Sequence, residues 1–299
     1  MKKHINIIRH SRLWLAISGA LIVTSIICTA VFGLNFGIDF TGGSLLTLDV
    51  PEIVGQDAMR DAVTTAGYSS SVQTATDGSV LVRIAPITEV EHQALLASLK
   101  TTFGDVTELR FDTVGPSIGS ELKKQAGIAV VLVLALIAVY IAWAFRRVSQ
   151  PVASWKYGLM TLIAAAHDII IPIGVFAVLG KIFGYQADTA FVAAVLTILG
   201  YSINDTIVVF DRTRENLYRH RHDDGSFADT VNSSIIETIA RSLNTTLCVL
   251  LPVLAIVIFG GESTRSFAIT LMVGILSGAY SSIFVASPLL VMSEKWGKK

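Results

Sequence analysis

AGIAVVLVLALIAVYIAWAF, Ala126 to Phe145, is twenty residues without a charge, bounded by Lys123 and Lys124 on one side and Arg146 and Arg147 on the other. A helix rises about 1.5 Å per residue, so roughly 20 apolar residues cross the ~30 Å hydrocarbon layer, and a run of this length reads as a membrane span. Outward from it, five further apolar runs lie at 13 to 33, 158 to 180, 189 to 210, 240 to 260 and 266 to 292. The sequence therefore predicts six spans. With 52% hydrophobic and 15% charged residues, the 299-residue chain is too apolar for an ordinary soluble domain. The 23 basic and 23 acidic residues balance, which argues against nucleic acid as a partner.

Basic residues orient the spans. Lys2, Lys3, Arg9 and Arg12 precede the first; Arg146, Arg147 and Lys156 separate the second from the third; Arg212, Arg214, Arg219 and Arg221 follow the fourth; and Lys295, Lys298 and Lys299 follow the sixth. The opposite loops carry only Lys181 and Arg265. The positive-inside rule then predicts cytoplasmic termini and an external segment between the first two spans. The run from Leu13 to Gly33 is longer than the apolar core of a signal peptide, and Ile27 precedes Cys28 where a lipoprotein site needs a small residue, so an uncleaved first span is expected. Cys28 and Cys248 both fall in apolar runs and read as packing residues.

The expected division is 1–34 for the N-terminus and first span, 35–123 for an external domain, and 124–299 for the remaining five spans with a cytoplasmic loop at 211–239. In the external segment, strands are predicted at Ser44 to Val50, Val72 to Thr76, Val80 to Ala85 and Val106 to Thr113, and helices at Gln56 to Gly67 and Glu89 to Phe103. Asp77-Gly78 is a hairpin signal between the second and third strands. The fold class expected is a polytopic α-helical membrane protein of six helices, carrying a small ferredoxin-like βαββαβ module between helices one and two.

Several motifs stand out. Gly37-Ile38-Asp39-Phe40-Thr41-Gly42-Gly43 marks the exit of the first span, where glycines permit a tight, positive-φ path. Val114-Gly115-Pro116-Ser117-Ile118-Gly119, before the second span, reads as a stiff linker. Leu199-Gly200-Tyr201-Ser202-Ile203-Asn204-Asp205-Thr206, continuing to Asp211 and Arg212, places an amide and a carboxyl inside the fourth apolar run. A carboxyl there costs several kcal/mol unless neutralised or paired, so Asp205 is a functional candidate. Asn204 reads as an interhelical hydrogen-bonding group, and Asp211 and Arg212 as interfacial residues. His167-Asp168 in the third span admits two readings: a second proton-handling site, or a structural polar contact. Thr270, Gly274, Gly278, Ser282 and Ala286 form a small-residue stripe on the sixth span that reads as packing alone. There is no HExxH, cysteine pair or carboxylate cluster at metal-ligand spacing.

The two glycine motifs, the fourth-span motif, the His167-Asp168 pair and the segment Thr238 to Thr245 together resemble the SecF family of bacterial protein-export subunits, in order and over essentially the whole chain. The resemblance implies one six-helix half of a proton-driven transporter of the RND superfamily, with SecD as the other half. It further implies work with the SecYEG channel and the SecA ATPase on a translocating polypeptide, with YajC and YidC as further partners, in the bacterial inner membrane. A proton gradient, rather than a bound cofactor, is the implied energy source, and the protein is not expected to be an enzyme. The same resemblance makes Arg241 a membrane-embedded partner of Asp205, and Asp205, Arg241, His167 and Asp168 a proton-relay set. The loop from His220 to Asp224 departs from the family pattern.

Two rivals are weaker. A small-molecule exporter of the same superfamily would need more external mass than one module for its binding pocket. An intramembrane aspartyl protease could pair Asp205 with Asp168, but the Gly-x-Gly-Asp context is missing, and an arginine beside one aspartate opposes sharing a proton between the two.

Overall fold

The computed structural model describes residues 6–51, 54–75, 78–146, 151–219 and 226–296. Asp77 and the loop at 220–225 lie outside the described residues. Helix α1 (Ser11–Phe32) is followed by a single helical turn, α2 (Ile38–Thr41). The module then runs β1 (Gly43–Asp49), α3 (Gln56–Thr65), β2 (Ser71–Thr74), β3 (Val80–Ile84), α4 (Glu89–Phe103) and β4 (Thr107–Val114). Its sheet order is β2-β3-β1-β4 with every pairing antiparallel, which is the ferredoxin-like arrangement expected.

Alternation decides the module's core. Leu46 and Leu48 of β1 face Val82 and Val80 of β3 across the ladder, and all four are buried against Met59 and Val63 of α3 and Leu95 and Leu99 of α4. A Thr88/Glu91 capping box starts α4, satisfying two amides that the first turn would otherwise leave open. Gly78, at φ +90, donates its amide to the Ala75 carbonyl and closes the β2–β3 hairpin. On the opposite face of the sheet Gln73 accepts a hydrogen bond from Arg83 at 2.6 Å and rests on Gly184, seating the module on the bundle. Burial lowers the Arg83 guanidinium to about 10, so it remains charged at neutral pH.

Five longer elements follow: α5 (Pro116–Ala144), α6 (Ser154–Phe183), α7 (Thr189–Arg219), α8 (Phe227–Phe259) and α9 (Glu262–Ser281). A π turn at Ser282–Ala286 joins α9 to α10 (Ser287–Glu294), and the two helices form one span. The described residues thus contain six helices long and apolar enough to cross a membrane. Half or more of the apolar windows of α6, α7 and the α9–α10 span is buried, against 17% or less for α1, α5 and α8. The first three therefore make the centre of the bundle.

The stiff connection expected at 114–119 is the beginning of α5, with Pro116 at the first helical position where a missing N–H costs nothing. Pro288 lacks the amide that would bond the Phe284 carbonyl, which accounts for the local widening into a π turn. Ser287 Oγ donates to the Ser282 carbonyl at 2.8 Å and stabilises the widened turn. Lys156 is buried rather than solvated, and its ammonium donates to the carbonyls of Ser293 (2.6 Å) and Trp296 (2.5 Å) at the end of α10.

The small-residue stripe of the sixth span faces α7 of the same chain. A Cβ at Gly274 would strike the Ile198 side chain, and one at Gly278 would lie 3.0 Å from Cβ and 3.1 Å from Cα of Ser202. Gly278→Leu should force α9 away from α7 at an overpacking cost of about 1–3 kcal/mol. The expected result is a lower melting midpoint in detergent, with Gly278→Ala between it and wild type; an unchanged midpoint for Gly278→Leu would contradict this packing.

Candidate functional site

Two carboxylates lie in the centre of the bundle. Asp168 of α6 is fully buried, and Pro172 four residues on removes the amide that would have bonded its carbonyl. Its Oδ1 accepts from His167 Nδ1 at 2.8 Å and Ser277 Oγ at 2.9 Å. Its Oδ2 accepts from Ser281 Oγ at 2.6 Å and from Ser202 Oγ. Asp205 of α7 is 4% exposed; Oδ1 accepts from Ser242 Oγ at 2.7 Å and Oδ2 from Ser282 Oγ at 3.0 Å. Consecutive serines at the α9–π junction thus serve different carboxylates, Ser281 on Asp168 and Ser282 on Asp205. Among the described residues no group of three or more His, Cys, Asp or Glu is placed to hold a metal ion.

The expected Asp205–Arg241 pairing is not what this arrangement contains. Ser242 points inward to Asp205, and its neighbour Arg241, rotated by about 100° on the same helix, is exposed and has no ion pair among the described residues. It borders a groove of about 410 Å³ between the C-terminal half of α7 and the N-terminal half of α8, with Val208, Asp211, Arg212 and Glu237. The reading of the sixth-span stripe as packing alone is also corrected, because Ser282 is a ligand of Asp205.

Asn204 and Gly200 lie on the exposed face of α7; Asn204 forms no side-chain hydrogen bond among the described residues, and a Cβ at Gly200 would meet nothing within 4 Å. Arg212 joins α7 to α8 by bonding Glu237, and it bonds Glu215 at 2.5 Å on its own helix. Asp211 pairs with Arg214 at 2.5 Å. Ser202, Ser242, Ser277 and Ser281 were not singled out from the sequence as carboxylate ligands. The available signal was the density of serines in the sixth span, three of them at 277, 281 and 282.

The two glycine motifs, on opposite flanks of the module, pack on each other. A Cβ at Gly42 (φ +73) would lie 2.9 Å from Pro116 Cα, and one at Gly119 would lie 2.9 Å from the Gly42 nitrogen. Gly43, at φ +140, brings its backbone against the Ile84 carbonyl. Gly37 donates its amide to the Ala187 carbonyl at 2.9 Å, and Gly115 caps α5.

Between these glycines, Asp39 Oδ2 accepts from the backbone N–H (2.9 Å) and Oγ1 (2.8 Å) of Thr189, the first residue of α7. Asp188 Oδ1 accepts from the Phe191 amide at 2.8 Å. Two carboxylates thus complement the positive end of the helix that carries Asp205. Burial pushes the Asp188 carboxyl up from its ordinary value, and the nearby Asp39 charge adds to the rise.

A six-span bundle built around two serine-bound carboxylates, crowned by an α+β module, defines a polytopic membrane protein of the transport type. Residues 94–296 match the family described as Protein export membrane protein SecD/SecF, C-terminal, and residues 29–50 match the SecD/SecF GG Motif. The Protein translocase subunit SecF of Thermobaculum terrenum is 40% identical over 303 residues, covering 97% of this chain and 94% of the relative. Protein translocase subunit SecDF of Thermus thermophilus is 38% identical over 284 residues, spanning 92% of this chain but 37% of that protein. The crystal structure of SecDF from the same genus, described as a translocon-associated membrane protein, superposes with a TM-score of 0.86 at 35% identity, covering all of this chain and 39% of that one. A crystal structure of SecDF in Super-membrane-facing form gives a TM-score of 0.71 at 35% identity. The chain belongs to the SecD/SecF family of protein-export membrane proteins, and its full-length likeness is to the SecF members.

Asp39→Ala should remove one of the two carboxylates that cap α7, at a cost of about 0.5–2 kcal/mol. Faster hydrogen exchange of the Thr189 amide is expected, with Asp39→Asn close to wild type because the amide oxygen still accepts. Equal protection in all three proteins would show that the cap carries no weight.

Proposed function

We propose that this chain is an accessory subunit of bacterial Sec protein export that, with a SecD-type partner, uses the proton gradient to promote the outward movement of secreted polypeptides. It lies in the cytoplasmic membrane with both termini inside and the α+β module outside, as its Lys and Arg asymmetry favours. SecYEG, SecA, YajC, YidC and the moving polypeptide are further partners by family membership. The gradient, rather than a bound cofactor, supplies the energy.

The observation that carries this reading is a buried carboxylate, Asp205, bound among the described residues by two hydroxyls and flanked by uncovered polar side chains, Asn204 on α7 and Arg241 on α8, with the bare surface of Gly200 beside them. Polar side chains exposed on a membrane span call for protein or water against them, and a second six-helix half on this face meets that need. In its neutral form Asp205 makes no demand on Arg241; in its charged form it draws, in low dielectric, on the nearest guanidinium, which cannot itself deprotonate. Alternation between the two states would move α7 and α8 relative to each other. Asp39 at the head of α7 links that motion to the module.

Proton-driven translocation into inverted membrane vesicles tests the proton role. Asp205→Asn keeps an oxygen acceptor but cannot titrate, so it should assemble normally and lose at least about tenfold of the gradient-dependent rate. A full response to the gradient would remove Asp205 from the path. A separate variant tests the face. A Cβ at Gly200 meets nothing within 4 Å, so the isolated Gly200→Leu protein should melt as wild type while failing to co-purify with SecD; undiminished recovery of SecD would place the partner elsewhere.

A further inference from the structure

The His167–Asp168 pair holds more than a structural contact needs. Four donors converge on Asp168: His167 Nδ1 and Ser277 on Oδ1, Ser281 and Ser202 on Oδ2. Both side chains are completely buried, and no Lys or Arg pairs with either among the described residues. Donors on both oxygens match the acceptor-only form of the carboxyl group. Its oxygen opposite Nδ1 fixes the imidazole as the Nδ1–H tautomer and leaves Nε2 with a free lone pair. That nitrogen is buried and has no hydrogen-bond partner among the described residues. Buried polar atoms are almost always partnered, and a purely structural His–Asp contact offers no reason for this exception.

We propose that His167 and Asp168 form a second proton-binding site, in which Nε2 of His167 takes the proton and Asp168 holds the resulting imidazolium. The step balances simply: a proton adds to the Nε2 lone pair, the Nδ1–H bond to Asp168 stays in place, and release reverses the addition. Binding converts a site of net charge −1 into a neutral ion pair, the direction that a low-dielectric surrounding favours.

The neighbours are accounted for on each packed element. Helix α7 brings Ser202 and, one turn on, Asp205; α9 brings Ser277, Ser281 and Tyr280, whose ring centroid is 6.0 Å from the imidazole. The Tyr280 hydroxyl is engaged with the Trp14 carbonyl and Ser18 of α1. Among the described residues no ion pair joins α1 or α5 to the cluster. Because Ser281 and Ser282 are adjacent, the charge state of one carboxylate is felt one residue from the ligand of the other.

The role of this site rests on the proton-coupled reading, but its test addresses the imidazole directly. The full chain, labelled with ¹⁵N-histidine and reconstituted in lipid nanodiscs, is titrated, and the His167 signals are identified by their contacts to the Tyr280 ring. The Nε2 shift is expected to pass from the unprotonated to the protonated range between about pH 9 and pH 5, with Nδ1 protonated throughout. In Asp168→Asn the imidazolium pattern should be absent over that whole range. In Asp205→Asn the His167 transition should persist, even where secretion is lost, which separates this site from the role of Asp205. An Nε2 that stays unprotonated throughout in the wild-type protein would overturn the proposal; so would an Asp168→Asn protein whose His167 titrates as before.

Discussion

A carboxyl group in hydrocarbon is the constraint around which this bundle is arranged. Asp168 and Asp205 sit where water is scarce, and the chain answers with hydroxyls rather than with arginine or lysine: Ser202, Ser277 and Ser281 on one, Ser242 and Ser282 on the other. Serine is suited to this task because it is small enough for close helix packing and each hydroxyl brings one rotatable donor. Neutral ligands also leave the carboxylate's charge open to change, whereas a locked guanidinium would hold it ionised.

The ligand set dictates how closely the helices must approach. A short side chain can donate across a helix pair only if the backbones nearly touch, and the glycines bring that about. Gly278 rests on Ser202, whose hydroxyl faces Asp168, and Gly274 receives Ile198 one turn away. On the other flank, Gly174 of α6 packs against Ser25 of α1. The π turn before Pro288 belongs to the same economy of space, since it falls directly at Ser282, the residue that serves Asp205.

Much of this is legible in the sequence, and the reasons for the remainder are physical. The six spans are readable because each is a run of bilayer length, and the module because Leu46, Leu48, Val80 and Val82 alternate as a half-buried sheet requires. Asp205 is readable because a carboxyl in an apolar run is costly wherever it points. The serines are not, because a hydroxyl in a membrane helix can satisfy itself on the preceding turn, as Thr161 does on Tyr157, and its presence there announces nothing. The side on which Arg241 stands is not readable for a related reason: depth along a helix can be estimated from sequence, but azimuth is decided by packing, and Ser242 holds the inward position. The contact between the two glycine motifs depends on the module closing between them, so neither motif alone reveals it.

The cap formed by Asp39 on Thr189 has a mechanical consequence. The module is tethered covalently at α1 and α5, and two tethers alone would leave it free to swing about the line that joins them, as a door swings on its hinges. The hydrogen bonds from Thr189 to Asp39 fasten the first of these tethers to the first turn of α7, and Gln73, resting on Gly184, gives the module itself a footing on the bundle. The helix that bears Asp205 is thereby fastened at its head to the stalk on which the module stands.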